Sequence, residues 1–218
     1  MSIYKRIQDK QLESHPLPIL THGAKLSHQL HQKCERITNP RLSRIKTAQE
    51  SLKKSAALSG SYSLSANQIG LPMSFFTIHK DVPYNEWLCE EALKANTEEG
   101  EAKAAKDQTD FDFQMNPQYL LDPNDFEIFI NPKVIGETFS QEYQWEYCLS
   151  FPNVRCMVKR PLGIHVRYID QNHDEIEQKL YDFHARMFLH ELDHLEGKTM
   201  THWSLSEGNI DVLPGYEV

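Results

Sequence analysis

The sequence predicts an α+β domain. Two observations carry that expectation: short stretches rich in aromatic and β-branched residues recur along the chain, and one long, strongly periodic helix follows them near the C-terminal end. A length of 218 residues suits a single domain over residues 1–218 with its own core.

The elements follow in chain order. Pro40 to Leu58 places Leu42, Ile45, Ala48, Leu52 and Ala56 at helical spacing, and Gly60 marks the stop. Ser74 to His79 (SFFTIH) predicts a buried strand from its aromatic and β-branched content. Phe126 to Ile130 (FEIFI) predicts a second strand, ended by Asn131-Pro132. Ile164 to Ile169 alternates apolar and polar residues, as a half-buried strand does. Gln171 to Asp174 supplies turn chemistry, and Ile176 to Leu180 is the expected hairpin partner. Asp182 to Glu196 predicts the long helix, with Ala185, Phe188, Leu189, Leu192 and Leu195 apolar and Gly197 just past its end. From Thr201 onward no period stands out.

Between about residues 81 and 124 the character changes. Acidic residues such as Glu86, Glu98, Glu101 and Asp110 outnumber Lys94, Lys103 and Lys106, which predicts a solvated acidic surface insertion with a short helix over Glu86 to Ala95. The formal net charge is −8, with no basic stripe, which argues against direct binding of nucleic acid. No apolar run approaches the roughly 20 residues of a membrane span. The N-terminus has no apolar stretch of the secretory kind, and Asp9 and Glu13 argue against an organelle transit peptide.

Four cysteines, Cys34, Cys89, Cys148 and Cys156, form no CxxC pair, so reduced thiols are expected rather than a disulfide framework. The long helix carries His190-Glu191-Leu192-Asp193-His194. Residues four apart share a helix face, so two imidazoles can converge on one metal ion with Glu191 beside it to take a proton. A catalytic site usually wants a third ligand. Downstream, His202, Glu207 and Glu217 are the candidates; upstream, Cys148 is another, unless it is a thiol packed in a strand.

Three motifs then stand in order: SYSLSANQ at 61–68, EYCLS at 146–150 and HELDHLEG at 190–197. Together they resemble the peptide deformylase family, whose motifs run GxGLAAxQ, EGCLS and HExDHLxG. The resemblance covers roughly residues 17 to 200, apart from the acidic insertion. It implies mixed or antiparallel strands packed around a central helix bearing HExxH. It also implies one divalent ion, Fe2+ in cells with Zn2+, Ni2+ or Co2+ able to replace it, on Cys148, His190 and His194. Glu191 would then be the general acid and base. Gln68 and the backbone N–H of Leu149 would steady the oxygen that gains charge. Tyr62, Ser63 and Tyr147 would line the substrate groove, and Asp193 would orient neighbouring groups.

The implied reaction is removal of formyl from nascent formyl-methionyl peptides near the ribosome, with release of formate. That activity belongs to the bacterial cytoplasm or to an organelle, mitochondrion or plastid. The chain departs from the pattern at Ser61 and Ser63, where the family has glycine, at Tyr147, another family glycine, and at Leu189. A side chain at residue 63 is expected to narrow the groove or shift the loop. A phenol at residue 147 could roof the site or block it. Two other readings keep the same residues: a metal-bound peptide-binding homologue without catalysis, and an unrelated HExxH peptidase with a downstream ligand.

Overall fold

The computed structural model describes residues 14–81, 121–204 and 210–212. The N-terminal residues 1–13, Cys89, the helix expected at 86–95 and most of the acidic insertion lie outside them, as do Glu207 and Glu217.

Helix α1 spans Ser43–Leu58, starting three residues later than the periodicity suggests because Leu42 is extended. Its buried face carries Ile45, Ala48, Leu52 and Ala56, the spaced positions of the sequence. Gly60 follows at φ 67°, a left-handed turn that glycine takes without steric cost. Strand β1, Ser63–Ser65, leads into a 3-10 turn over Ala66–Ile69, and β2 spans Phe75–His79.

Strand β3 runs over Phe126–Glu137, well past the predicted stop. Asn131 and Pro132 do not end it because they form an irregularity: Asn131 sits at φ 50°, and the pairing with the next strand skips between Ile130 and Lys133. The proline therefore falls where no ladder bond is required. The Asn131 amide also clamps the backbone of Ile37, accepting from its N–H at 2.9 Å and donating to its carbonyl at 2.8 Å.

Strands β4 (Gln141–Cys148) and β5 (Phe151–Pro161) form a hairpin that periodicity did not reveal. Strands β6 (Gly163–Ile169) and β7 (Glu175–Tyr181) form the expected hairpin, with Tyr168 opposite Ile176. Helix α2 spans Asp182–Leu195, a short helix α3 covers Met200–Ser204, and β8 covers Ile210–Val212.

Among the described residues the strands make two antiparallel sheets, β1-β2-β3-β6-β7 and β4-β5-β8. Side-chain alternation explains how the first sheet is covered. Phe75, Phe126, Ile128 and Ile130 pack with Ile45, Leu52 and Ala56 of α1. Phe76, Ile78 and Phe129 point the other way and pack with Ala185, Phe188 and Leu195 of α2. Strand β2 is thus buried on both faces, which is why its sequence is apolar without a break. Helix α2 also touches β5 of the second sheet. A third cluster, Cys148, Phe151, Cys156, Val158 and Met200, fills that side. The described cysteines Cys34, Cys148 and Cys156 are all free, as expected.

Candidate metal centre

The site is assembled from the end of β4, one face of α2 and the turn after β1. On α2, one turn separates His190 from His194, and their ring centroids lie 5.0 Å apart. Cys148 is the last residue of β4, and its sulfur lies 3.2 Å from His194 Nε2. The three donor atoms all lie within 4.8 Å of one another. A tetrahedral ion with one sulfur and two imidazole ligands needs donors about 3.3–3.6 Å apart, from bonds near 2.3 and 2.1 Å. The donor set, its spacing and its burial therefore fit a single divalent ion. The downstream alternative is not supported: His202 meets Trp203 edge-on and stands outside this group, while Glu207 and Glu217 fall outside the described residues.

Behind His190 lies a polar network that sequence reading missed. Glu146 is 5% exposed, and its Oε2 sits 2.9 Å from His190 Nδ1, leaving Nε2 for the site. Arg160 grips both oxygens of Glu146, donating from Nε at 2.7 Å and Nη2 at 2.8 Å, and donates from Nη1 to Asp193 at 2.6 Å. Arg186 donates to Glu146 Oε1 at 2.9 Å and to the carbonyls of Val158 and Glu142. Burial would push the Glu146 carboxyl up, but the charge and hydrogen bonds of Arg160, with His190, hold it well below the usual range. The same pairing lifts Arg160 against the opposing effect of burial.

The two imidazoles are driven apart. Burial opposes a charge on His190, yet the Cys148 sulfur and the Glu146 carboxylate outweigh it and raise its pKa well above the ordinary value. Burial, then the neighbouring His190 and Arg160, press His194 well below it. Asp193, expected to orient its neighbours, does so by accepting from Arg160 and from the Trp203 indole at 2.8 Å.

Glu191 is 2% exposed. Burial raises its pKa, with the His190 ring and the hydroxyls of Ser63 and Ser65 acting against the rise. Its Oε1 accepts from Ser63 Oγ at 2.7 Å, while Oε2 is buried without a hydrogen-bond partner among the described residues. Gln68 is 2% exposed, so it is no surface amide. Its Oε1 accepts from the N–H and the hydroxyl of Ser65, both at 2.9 Å, which aims Nε2 at Ser150 Oγ (3.2 Å) and the Cys148 sulfur (3.5 Å). Asn67 donates to the His194 carbonyl at 2.6 Å and ties the turn to the helix. Leu149 lies in the turn joining β4 to β5, next to the sulfur.

The other two groove candidates sit further out. Tyr62 packs partly buried against the α2 side of the core, its ring edge-on to His79 at 5.5 Å. Tyr147 is 38% exposed, with its phenol 3.4 Å from Arg155 Nη1. Neither Ser61 nor Ser63 takes a positive φ, so a serine fits each backbone position without strain. Of the residues missed, Glu146 and Arg160 had a signal: each belongs to a stretch with the family's pattern, and each is a charge beside a buried motif.

Comparison with known proteins places this geometry. The sequence model of the polypeptide deformylase family matches residues 16–208. A Nostoc protein called peptide deformylase 2 is 42% identical over 83 residues, 38% of this chain and 46% of that one. A Rickettsia typhi peptide deformylase is 38% identical over 93 residues, 42% of this chain and 53% of its own. The matched stretches thus span about half the length of these curated relatives. Among solved structures, a class I type b peptide deformylase from Acinetobacter baumannii with bound Met-Ala-Ser superposes at a TM-score of 0.63. It shares 17% identity and covers 88% of this chain and 99% of its own. The Synechococcus elongatus enzyme in complex with actinonin gives 0.62 at 20% identity, covering 89% and 82%. At that identity these structures speak for the fold.

Proposed function

The chain belongs to the polypeptide deformylase family by the match over residues 16–208, and from that premise we propose that it hydrolyses the N-terminal formyl group of formyl-methionyl peptides. The observation that carries the proposal is one buried constellation: the donor atoms of Cys148, His190 and His194 within 4.8 Å of one another, with a buried oxygen of Glu191, unpartnered among the described residues, alongside.

Cys148, His190 and His194 would hold one divalent ion, iron(II) in the cell, with zinc, nickel or cobalt able to take its place. Bound there, the ion supplies Lewis-acid polarisation and makes water a nucleophile near neutral pH. The rest falls to the chain. Glu191 takes the water's proton on Oε2 and returns it to the departing amine. Gln68 Nε2 and the Leu149 N–H donate to the formyl oxygen as it gains negative charge. Glu146 holds the His190 ring through Nδ1 and keeps its orientation. Burial of the histidines and Glu191 keeps bulk water from competing for these bonds.

The fold match removes the unrelated HExxH peptidase from contention. A homologue without catalysis would have no use for a base and an amide donor held in place together. The substrates arise wherever translation begins with formyl-methionine, in the bacterial cytoplasm or an organelle, on peptides leaving the ribosome. No helix among the described residues is long and apolar enough to cross a membrane.

The test is formate release from a formyl-Met peptide, run anaerobically with iron(II) and in parallel with nickel, against an unformylated control. Glu191→Gln should lower kcat by about 10²–10⁴-fold while the protein still binds the ion. Metal-loaded protein that releases no formate at any peptide length would refute the proposal.

A further inference from the structure

Ser63 stands at a position where the family pattern has glycine, and it brings a hydroxyl that glycine cannot supply. The hydroxyl crosses from β1 to α2 and donates to Glu191 Oε1 at 2.7 Å. Its backbone is fixed from two sides. The strand pairs with β2, Ser63 opposite Ile78, and the Ser61 hydroxyl donates to the Ser63 carbonyl at 2.7 Å. Ser61, at the first glycine of the family pattern, therefore buttresses Ser63 at the second.

A glutamate has two chemically equal oxygens that exchange by rotation about its last side-chain bond, a broad, soft torsion. A hydrogen bond to one oxygen removes that equality. Here Oε1 is held by Ser63, whereas Oε2 is buried and unpartnered among the described residues. We propose that Ser63 is a positioning residue: its hydroxyl holds Oε1 of Glu191 so that Oε2 alone carries the proton during hydrolysis. This rests on the deformylase reading and adds to it a side-chain device that the glycine pattern lacks. A charge-assisted O–H bond at this distance is among the stronger hydrogen bonds a protein makes. The hydroxyl bonds the base itself, so its effect belongs in turnover.

The experiment compares wild type with Ser63→Ala, Ser63→Gly and Ser63→Thr in formate release. Removing the hydroxyl should lower kcat about 10-fold or more and leave KM within about 2-fold, and Ser63→Thr should restore most of the rate. A second measurement does not use activity. Thermal unfolding of wild type, Ser63→Ala, Glu191→Ala and the double variant forms a cycle in which the two single shifts should fail to add by about 2 °C. Wild-type kcat in Ser63→Ala, a loss confined to KM, a threonine variant as slow as the alanine one, or additive unfolding shifts would overturn the proposal. Wild-type protein inactive on every peptide would instead defeat the deformylase reading, and the unfolding cycle would still decide whether the two side chains are coupled.

Discussion

Replacing Glu146 by glutamine exchanges one oxygen for an NH2 group and removes one charge, and the structure gives the size of the consequence. The carboxylate accepts from Arg160 twice and from Arg186 once, and it faces His190 Nδ1. In Glu146→Gln an amide N–H₂ would point at a donor. The amide oxygen can still accept from Arg160 Nε and Arg186 Nη1, and Arg160 would keep Asp193, but Arg186, 5% exposed, would lose the one carboxylate that faces it. Removing one partner of a buried ion pair costs about 3–5 kcal/mol, because the other charge is stranded. At roughly 2–4 °C per kcal/mol for a chain of this size, the melting temperature should fall by about 6–20 °C. Loss of the bond behind His190 should also weaken metal binding about 10–100-fold. Circular-dichroism melts and a competition titration with a chromophoric chelator measure the two effects. Adding Arg186→Met should recover a good part of the stability by removing the stranded cation, but none of the metal affinity. A fall of under about 2 °C with unchanged affinity would refute the view that Glu146 organises both charge and ligand.

The same network sets the response to acid. The Glu146 pKa in the fold lies below its ordinary 4.5, so its contribution is fully present above pH 4.5 and lost as pH falls through the folded value. Urea midpoints taken down the pH scale should show that limb in wild type and a flatter one in Glu146→Gln. Cys34 works in the opposite direction: burial, with help from Glu196, pushes its thiol up to about 12 from an ordinary 9.0. Its contribution is present below pH 9 and fades as pH rises toward 12, so Cys34→Ala should lose less stability between those values than wild type. Cys148→Ala should leave a folded protein whose metal affinity is down by about 100-fold or more, since two imidazoles alone make a poor site. Metal content after dialysis against a chelator checks this, and retention of the ion would mean another ligand serves.

How much of this was legible in the sequence depends on what carried each element. The two helices and the β6–β7 hairpin could be read because each has one buried face, and a periodic face is what a local window detects. Strand β3 was cut short because Asn131-Pro132 usually ends a strand, whereas here tertiary contact overrides local preference: the Asn131 side chain is bonded to Ile37, 94 residues away. The β4–β5 hairpin was not read as a pair of strands because its outward face carries Tyr143, Trp145 and Tyr147, so aromatic residues fall on the exposed positions. The metal ligands could be read from motif order. Glu146 and Arg160 stand in stretches with the family's pattern, yet their pairing was not readable, and nothing local marks Arg186, because charged residues are usually solvated. The role of Ser63 depends on a contact across 128 residues, which no window contains.

These buried polar groups explain why stability and chemistry are coupled in this chain. Helix α2 packs Ala185, Phe188 and Leu195 against the sheet, and the same 14 residues carry Arg186, His190, Glu191, Asp193 and His194. A helix with only the first set would be held by apolar burial alone. The second set must be desolvated wherever the first set docks, and it is tolerated because β4, β5 and the β1 turn supply its partners: Glu146, Arg160, Ser63 and Asn67. The second sheet is therefore required for the helix to pack at all. An ion that binds the folded site and not the unfolded chain adds to the same balance by mass action, since its ligands come from β4 and α2 together. The divergence at residues 61 and 63 leaves this arrangement intact because it changes side chains at ordinary backbone angles. The two hydroxyls end on the Ser63 carbonyl and on Oε1 of the buried Glu191.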